Sequence, residues 1–450
     1  MSPAKTFSRR QRPECAHTEA KGCDGVPAVG ASLFLWPPSV GSVTFLAAPN
    51  VSRLVMTDVM QTMETFPSTR PAALQRLEEF VRTGAADYAR TRNFVKAGNG
   101  NVSRLSAALR HRLISEEEVL AAVLAVHRFP AVEKFVQEVV WRTYWKGWLE
   151  LHPGVWMDYL RLAAEPAPEI PEDGTMSVFA EELRSTGYLH NHARMWWAAW
   201  SCHQQGLPWA AGARFFFDHL LDADAASNTL GWRWVAGLQT PGKAYLARRE
   251  NMAKYWEDHG SLDAIDDSAH ARIPAETADR SRVAMPDYAE TPPPIGGPVL
   301  LLGHADDLSI ETTPLGGLRP AAIALIDQPG ESDGEAKRAW RRSAMDDAAT
   351  RWLQHYECPV ARLARWDGVR SWAARAGGGH VILMAPFVGP DADAWSSERR
   401  ALQEAGVEVT ECRRTWDQRL FPAAQAGFFP FWHKARPLLS KRLPLAKAAA

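Results

Sequence analysis

The hydrophobic pattern of this chain changes once, and the change limits the folds that the chain can adopt. From Pro71 to about His270, apolar residues recur with helical spacing in long runs, separated by short turns that contain proline or glycine. After residue 297, short apolar runs alternate with helical segments, a pattern typical of a parallel sheet with helices on its faces. The sequence therefore predicts a helical part followed by an α/β part.

The elements of both parts can be placed from the pattern. The clearest helical runs of the first part are Pro71–Arg82, Glu116–Val126, Ala131–Leu151 and Phe179–Arg184. In the second part, strands are predicted at Val299–Leu302, Ala322–Ile326, Val360–Leu363, Val381–Met384 and Val407–Thr410, with helices at Lys337–Tyr356, Val369–Arg375 and Trp395–Ala405.

The length of 450 residues allows two or three domains, and two is the working number. Residues 271–297 are polar and rich in proline, which is typical of an exposed, stiff linker. We therefore divide the chain into a flexible leader (1–59), a helical domain (60–270), the linker (271–297) and an α/β domain (298–450). The leader mixes glycine, proline, serine and arginine without a sustained period.

Composition excludes several classes of protein. Apolar residues make up 46% and charged residues 23%, as in soluble globular proteins, and 51 basic residues balance 52 acidic ones, so a nucleic-acid surface would be a local patch. The apolar stretch 32–49 is interrupted by Pro37, Pro38 and Gly41 and predicts neither a membrane span nor a signal peptide. Five scattered cysteines favour a reducing cytoplasm and indicate neither zinc nor an iron–sulfur cluster.

Two segments of the helical part stand out for their chemistry. Asn101–Ser106 places hydroxyls and one arginine at a helix start, as a pyrophosphate requires, although such a segment is by itself more often an ordinary helix cap. Helical spacing within Phe135–Trp145 puts Glu138, Trp141 and Trp145 along one face. An aromatic stripe of this kind is, on its own, more typical of a core than of a ligand site.

Two further segments follow, Tyr188–Met195 and Leu221–Trp234. His190 and His192 in the first of them suggest acid–base chemistry, because histidine titrates near neutral pH. They are two residues apart and so lie on different faces of a helix, and a surface role or a satisfied core role accounts for them better.

In order and spacing, these four segments resemble the motifs of the cryptochrome/photolyase family. Asn101–Ser106 is similar to its Thr-Ser-Arg-Leu-Ser phosphate-binding segment, and Phe135–Trp145 to its aromatic-x-x-Glu-x-x-Trp-Arg helix. Tyr188–Met195 resembles the family's Met-His-Asn-Arg-x-Arg-Met run, and Leu221–Trp234 its Asp-Gly-Asp…Asn-Asn-Gly-Gly-Trp-Gln-Trp segment. The resemblance implies that the helical part is the all-α FAD-binding domain of a photolyase.

FAD is the cofactor that the resemblance implies. Arg194 then pairs with Asp222 over the flavin ring, Asp224 contacts the ring edge, and Asn228 faces N5, a photolyase-like choice that favours a flavin that can be fully reduced. The residues implied to bind FAD are Tyr88, Val102, Ser103, Arg104, Leu105, Ser106, Phe135, Arg194, Asp222, Ala223, Asp224 and Asn228.

Damaged DNA is the partner that the resemblance implies. Glu138 would hydrogen-bond a base edge and Trp141 would stack on a flipped pyrimidine dimer. Asn191 and Met195 stand where the (6-4) photolyases carry a catalytic histidine pair, so they favour cyclobutane dimers. The residues implied to face DNA are Arg92, Glu138, Trp141, Arg142, Asn191, His192, Met195 and Trp234.

Among the 19 tryptophans, Trp232 and Trp209 fall where the family's electron-hopping tryptophans lie. Trp156 is predicted to be the terminal member of that series. With Glu138 and Asn228, these three tryptophans form the predicted catalytic set.

The α/β part follows the helical part, whereas typical family members begin with an α/β antenna domain. Trp395–Ala405 with the strand after it, and the aromatic run Gly427–Trp432, resemble the end of that antenna domain. We therefore predict a smaller, Rossmann-like antenna domain at the C-terminal side, with an unrelated α/β domain as the alternative. The sequence indicates neither the antenna chromophore nor the oligomeric state.

The resemblance thus implies a cytoplasmic, deoxyribodipyrimidine photolyase-like lyase that repairs cyclobutane pyrimidine dimers by light-driven electron transfer from reduced FAD. The alternative is a cryptochrome-like blue-light photoreceptor that binds FAD and a protein partner without repairing DNA. A third hypothesis, a light-independent nucleic-acid-binding protein, would have little use for Asn228 and the Arg194–Asp222 pair together.

Overall fold

The computed structural model describes residues 65–172, 174–293 and 296–442, so the predicted leader lies outside the described residues. Helices fill the first part of the chain. They are α1 (Arg70–Thr83), α2 (Tyr88–Thr91), α3 (Ser106–Arg110), α4 (Glu116–Val126), α5 (Phe129–Leu151), α6 (Gly154–Ala163), α7 (Gly174–Thr186), α8 (Asn191–His203), α9 (Trp209–His219), α10 (Ala225–Val235) and α11 (Arg249–Tyr255).

Side chains that cap free backbone amides set the starts of several helices. The Thr69 hydroxyl accepts a hydrogen bond from the third residue of α1. Ser115 and Glu118 form a reciprocal capping box at α4, and the Asp224 carboxylate accepts a hydrogen bond from the Ser227 amide at α10. The motif Leu221–Trp234 is therefore a turn followed by a helix, with Asp224 at the point where the helix begins.

A parallel sheet occupies the second part. Its strands are β1 (Val299–Gly303), β2 (Ala322–Ile326), β3 (Val360–Leu363), β4 (His380–Met384) and β5 (Glu408–Cys412), joined by helices α12 (Glu335–Tyr356), α13 (Val369–Arg375) and α14 (Pro390–Glu404). The strand order is β3-β2-β1-β4-β5, and every pairing is parallel. The order reverses between β1 and β4, where a doubly wound sheet opens a crevice at the carboxyl ends of its strands.

The two faces of the sheet belong to two different cores. Alternate residues of β1 point to opposite faces, so that Leu301 joins the large core of the helical part, whereas Leu300 and Leu302 join a smaller cluster. Trp366 and Trp395 close that smaller cluster on the far side of the sheet. One sheet face is therefore continuous with the helical core.

Buried ion pairs join the sheet to the helices. Arg112, which precedes α4, is 1% exposed and donates a hydrogen bond from Nη2 to Asp417 Oδ1 at 2.7 Å. Asp417 lies in α15 (Thr415–Leu420), which follows β5. Arg414 donates two hydrogen bonds of 2.7 Å to Asp307, at the end of β1. Charges of both signs are thus paired at the junction, where leaving one of them alone would be costly.

The predicted linker forms none of the helices or strands of the described chain, and most of its residues are exposed. It nevertheless contacts both parts, because the Val283 amide donates to Leu151 O at 2.9 Å and the Ala289 amide donates to Glu411 O at 3.1 Å. All described residues lie in one compact unit, and the division into separate domains stays a prediction. In the described part of the chain, no helix has the length and apolar character needed to cross a membrane.

Candidate functional site

A buried ion pair lies where the third and fourth sequence motifs meet. Arg194 of α8 contacts both carboxylate oxygens of Asp222, with Nη1 to Oδ1 at 3.1 Å and Nη2 to Oδ2 at 3.2 Å. Burial by itself would raise the pKa of Asp222, but Arg194 and then Arg142 outweigh it and lower that pKa below its usual value. Ser106 also contributes to lowering this pKa, which brings the predicted phosphate-binding segment to the same place.

Asp224 lies two residues further on and is surrounded by cations. Its Oδ2 is 3.7 Å from Lys146 Nζ and 3.9 Å from both Arg110 Nε and Arg142 Nη1. These cations, Lys146 foremost, lower the pKa of Asp224 against the effect of burial. Two ionised aspartates therefore lie among four cations, one of which, Arg110, is also paired with Asp306 at 2.6 Å.

The phosphate-binding motif is held in a fixed shape. Arg104 has a positive φ of 57°, in the left-handed region that few residues other than glycine adopt. Arg76 of α1 donates to the carbonyls of Ser103 and Val102 at 3.0 and 3.2 Å, and this contact braces the turn from behind. Leu105 is fully buried and anchors the start of α3. Arg104 Nε is buried and makes no hydrogen bond within the described chain.

The remaining predicted flavin residues are spread around this centre. Asn228 is buried in α10 and donates from Nδ2 to Ala213 O at 2.8 Å. The carbonyl of Ala223 accepts a 2.8 Å hydrogen bond from Arg110 Nε. Phe135 and Tyr88 meet edge to face with their ring centroids 5.2 Å apart.

The predicted DNA-facing residues of α5 have partners within the protein. Glu138 forms an ion pair with Arg92 and another, of 3.1 Å, with Lys134. Arg142 points inward, toward Asp222 and Asp224. As a result, its guanidinium contributes to lowering the pKa of both carboxylates. The structure therefore places Arg142 beside two of the predicted flavin residues, and its contact with DNA stays a prediction.

Trp141 carries a contact that sequence reasoning missed. Its ring stacks on Phe428 with 3.8 Å between centroids and 7° between planes. Phe428 opens the helix α16 (Phe428–Arg442) and is buried. One face of the tryptophan predicted to receive a pyrimidine dimer is thus already covered by the aromatic run near the C-terminal end of the described chain.

The first turn of α8 contains three of the predicted DNA-facing residues. Asn191 is exposed and lies 3.6 Å from the sulfur of Met195. His192 places Nδ1 2.7 Å from Asn93 O and stacks on Trp196 at 4.5 Å. Burial lowers the pKa of His192, so the imidazole is neutral at pH 7 and acts as a structural link rather than a cation for phosphate.

The predicted tryptophan series separates into two aromatic groups. Trp232 lies edge-on to Trp197 at 6.0 Å, while Trp209 and Trp156 are connected through Tyr159 by centroid distances of 6.0 and 5.2 Å. Trp232 packs closely against Gly212, which lies one turn along α9 from Trp209. The two aromatic groups therefore lie side by side. Trp156 is buried and donates to Asp393 at 2.9 Å. Trp234 stacks on Tyr245 at 5.7 Å.

Lys146 and Arg110 are the functional candidates that the sequence did not reveal. Burial lowers the pKa of Lys146 to about 8, although Asp224 opposes that shift. Lys146 follows Arg142 by one helical turn on α5, and that spacing is the only signal in the sequence that would have placed both cations on one face.

Comparison with known proteins gives a consistent result. Residues 178–261 match the family model described as the FAD binding domain of DNA photolyase. The deoxyribodipyrimidine photo-lyase of Escherichia coli is 29% identical over 162 residues, covering 32% of this chain and 34% of that protein. Cryptochrome-2 of Arabidopsis thaliana is 38% identical over 72 residues, covering 16% and 12%. The crystal structure of a Synechocystis cryptochrome matches over 42% of this chain and 43% of that one, with 20% identity and a TM-score of 0.35.

The resemblance to the cryptochrome/photolyase family and to its FAD-binding domain is therefore confirmed. The matched segment contains Arg194, Asp222, Asp224 and Asn228, the residues of the third and fourth motifs that surround the buried ion pair. The chain spans about a third of the length of the photolyases that it matches.

Proposed function

We propose that this protein is a flavoprotein that binds FAD around the Arg194–Asp222 pair, and this buried pair is the observation that carries the proposal. The surrounding residues fit an anionic, planar ligand. Arg104 Nε and Arg142 Nη1 are both buried and make no hydrogen bond within the described chain, so donors remain for a charged ligand.

In this proposal, Ser103, Arg104 and Ser106 hold the pyrophosphate at the start of α3. Arg194 and Asp222 fix the ring, Asp224 accepts a hydrogen bond at the ring edge, and Asn228 lies at N5. Reduced FAD, when bound and excited by light, would supply one electron. The cations around the two aspartates favour a flavin in its anionic form.

We further propose that the reaction is the repair of cyclobutane pyrimidine dimers in DNA. Asn191 and Met195 support that substrate over (6-4) products, and they lie together at the start of α8. Glu138 would exchange its ion pairs with Arg92 and Lys134 for a base edge, and Trp234 would stack on the dimer. A flipped dimer costs less to extrude than an undamaged pair, which gives the site selectivity.

A second candidate function is a blue-light photoreceptor that binds FAD without repair. The stacking of Phe428 on Trp141 favours it, because that contact occupies a ring face on which the dimer is predicted to lie. The α/β part would be the antenna-like domain in either case, and we assign no antenna chromophore to it. We propose a cytoplasmic location for both functions.

The deciding experiment is repair of a dimer-containing oligonucleotide under blue light by the purified, photoreduced protein, with its visible spectrum recorded alongside. Restored thymines together with a flavin spectrum would establish the repair enzyme. Bound FAD without repair would favour the photoreceptor. A purified protein without flavin would contradict both proposals.

The variant Phe428→Ala sharpens this comparison, with Phe429→Ala as the matched control because Phe429 is 66% exposed. If Phe428 blocks the dimer, its removal should increase repair or create it, and the control should leave it unchanged. If Phe428 only supports Trp141 from behind, its removal should weaken repair.

A further inference from the structure

A cavity of about 130 Å³ lies between the sheet and the helical part. Its walls include residues that follow the carboxyl ends of β1, β2 and β4, namely Asp306, Gly330 and Gly389. This is the place where the strand order reverses, and ligands of doubly wound sheets bind there. Of the predicted flavin residues, Ala223 and Asp224 line it, so the cavity adjoins the predicted flavin site without containing its predicted pyrophosphate segment.

Three helices begin at this cavity, α10, α12 and α14, which have 11, 22 and 15 residues. The start of α10 is capped by Asp224, whereas Gly334 and Gly389 precede the other two helices and provide no side-chain cap. Neither helix therefore has a side-chain cap for its first amides, although Pro390 contributes no N–H, and each helix dipole adds partial positive charge near the cavity that Glu335 and Asp391 partly offset.

Lys146 supplies a full positive charge at the same cavity. Its side chain is 1% exposed, and Nζ makes no hydrogen bond within the described chain. The ammonium lies 3.9 Å from the centroid of the Phe387 ring and 3.7 Å from Asp224 Oδ2. A buried ammonium without a hydrogen-bond acceptor is costly, so this group is suited to receive one from a ligand.

The other carboxylates of the cavity are already engaged. Asp306 accepts from Arg110 at 2.6 Å, Asp333 from Lys337 at 2.6 Å, and Asp391 from Trp366 Nε1 at 2.9 Å. His304, Asp306 and Asp391 together have a spacing that a metal ion could use, but His304 Nε2 lies 2.6 Å from Met384 O and both oxygens of Asp306 accept hydrogen bonds. Both oxygens of Asp306 and of Asp333 are therefore engaged, as is one oxygen of Asp391, and Lys146 Nζ is the buried donor that remains for an anion.

From these contacts we propose that the cavity binds a phosphate-sized oxyanion between Lys146 and the amino ends of α12 and α14. The cavity of about 130 Å³ has room for one tetrahedral oxyanion. Free inorganic phosphate and the phosphate group of a monoester present the same chemistry to these donors. The proposal does not rest on the proposed function, because the predicted pyrophosphate residues lie elsewhere.

The test is the melting temperature of the full chain, saturated with FAD, at rising inorganic phosphate and constant ionic strength set with chloride. Phosphate should raise the melting temperature and saturate, since it binds the folded state. Lys146→Met should weaken the apparent affinity about tenfold or more, as expected for a lost charged hydrogen bond. Lys243→Met, at an exposed lysine, is the matched control and should keep the affinity.

A parallel series with glycerol 3-phosphate distinguishes the two sources of the group. Tighter binding of the monoester would assign the cavity to the phosphate of a larger molecule, and tighter binding of the free ion would assign it to inorganic phosphate. Wild-type protein that shows no phosphate effect would overturn the proposal. So would a phosphate effect that Arg104→Ala removes and Lys146→Met retains, since the ion would then lie at the predicted pyrophosphate segment.

Crystals soaked in selenate give an independent measurement that needs no variant. Anomalous scattering should place selenium in the cavity, with an oxygen within hydrogen-bond distance of Lys146 Nζ. Selenium found only at other positions would refute the site whether or not Lys146→Met folds.

Discussion

Charged residues in this protein lie in pairs and clusters, and in the candidate site the partly buried Arg194 faces the buried Asp222. Both carboxylate oxygens face the guanidinium, and the Asp222 side chain is 6% exposed. Removing one partner of such a pair leaves the other charge buried without compensation, which costs more than the pair itself contributes.

The change Asp222→Asn should therefore lower the free energy of unfolding by about 2–3 kcal/mol. It should also abolish retention of FAD during purification, if FAD binds there as proposed. Asp87→Asn is the control, because Asp87 pairs with Arg90 on an exposed surface at 2.9 Å and should change stability by less than about 1 kcal/mol. Urea titration and the flavin absorbance of the purified variants measure both effects, and equal losses in the two variants would contradict the prediction.

Lys146 gives a second prediction, which concerns pH. Its pKa is about 8 in the folded protein and ordinarily 10.5, so the unfolded chain binds more protons between these values, and stability must rise with pH across that window. The charged groups that face Lys146 include Asp224, Asp306, Arg110, Arg112 and Glu116.

Relative to Lys146→Met, wild-type stability should increase by about 2 kcal/mol between pH 7 and pH 10. Subtracting the free energy of unfolding of the variant from that of wild type removes the contributions of the other groups that titrate in this range. Urea titrations at four pH values in phosphate-free buffer measure the difference. If the difference between wild type and variant stays constant with pH, Lys146 is protonated throughout this range. A hydrogen-bond acceptor must then stabilise its charged form.

At the scale of helices and strands, the helices α9 and α10 pack closely against each other in the candidate site, where Gly212 meets the ring of Trp232. A Cβ atom at Gly212 would lie 2.3 Å from the Trp232 ring, whereas a Cβ atom at Gly231 would meet no atom within 4 Å. Both glycines lie inside helices, so they form a matched pair that differs in packing alone.

Gly212→Ala should cost about 1–3 kcal/mol, because the ring must move out of a filled space. Gly231→Ala should instead add about 0.5–1 kcal/mol, as alanine favours a helix. Thermal and urea unfolding measure both changes. If alanine were tolerated equally at the two positions, Trp232 would not be packed against α9 as described.

Much of the fold could be predicted from the periodicity of apolar residues. Where the predicted and observed bounds of an element differ, the difference has a local cause. The first four strands lie within a residue or so of their predicted bounds, while β5 runs two residues further, to Cys412. The helix α14 begins at Pro390, five residues before the predicted start, because proline suits the first turn and Asp391 and Asp393 favour the positive end of the helix dipole.

The candidate site was predictable only where both partners lay in motifs that resemble those of the family. The pairing of Arg194 with Asp222 follows from two motifs that resemble those of the family. The stacking of Phe428 on Trp141 could not be predicted, because 287 residues separate the two rings and no local pattern connects them. Lys146 was missed because lysine is rarely buried, so its place in the sequence indicates a surface.

At the scale of the whole molecule, stability depends on the ion pairs between the helical part and the sheet. Asp417 is fully buried, and without it Arg112 would keep only Glu116 and Asp307, at 3.4 and 3.6 Å. These contacts lie between the two predicted domains, so their loss should destabilise both the helical part and the sheet.

Asp417→Asn should lower the free energy of unfolding by about 3–5 kcal/mol, with helices and sheet unfolding in one transition. Far-ultraviolet circular dichroism and tryptophan fluorescence during urea titration should report the same midpoint. Asp367→Asn is the control, because its 3.0 Å pair with Arg365 is exposed. Two separate midpoints, with one of them unchanged from wild type, would show that the parts are energetically independent.

The long sequence separation of the Arg112–Asp417 pair has a consequence for biosynthesis. The two residues are 305 positions apart, so a ribosome that adds about 5–20 residues per second needs roughly 15–60 s to produce the second after the first. Throughout that interval the emerging helices carry an arginine whose carboxylate partner has not been translated. A nascent chain of this protein therefore gains its native stability late, and a message truncated before Asp417 should yield a product that cellular proteases remove.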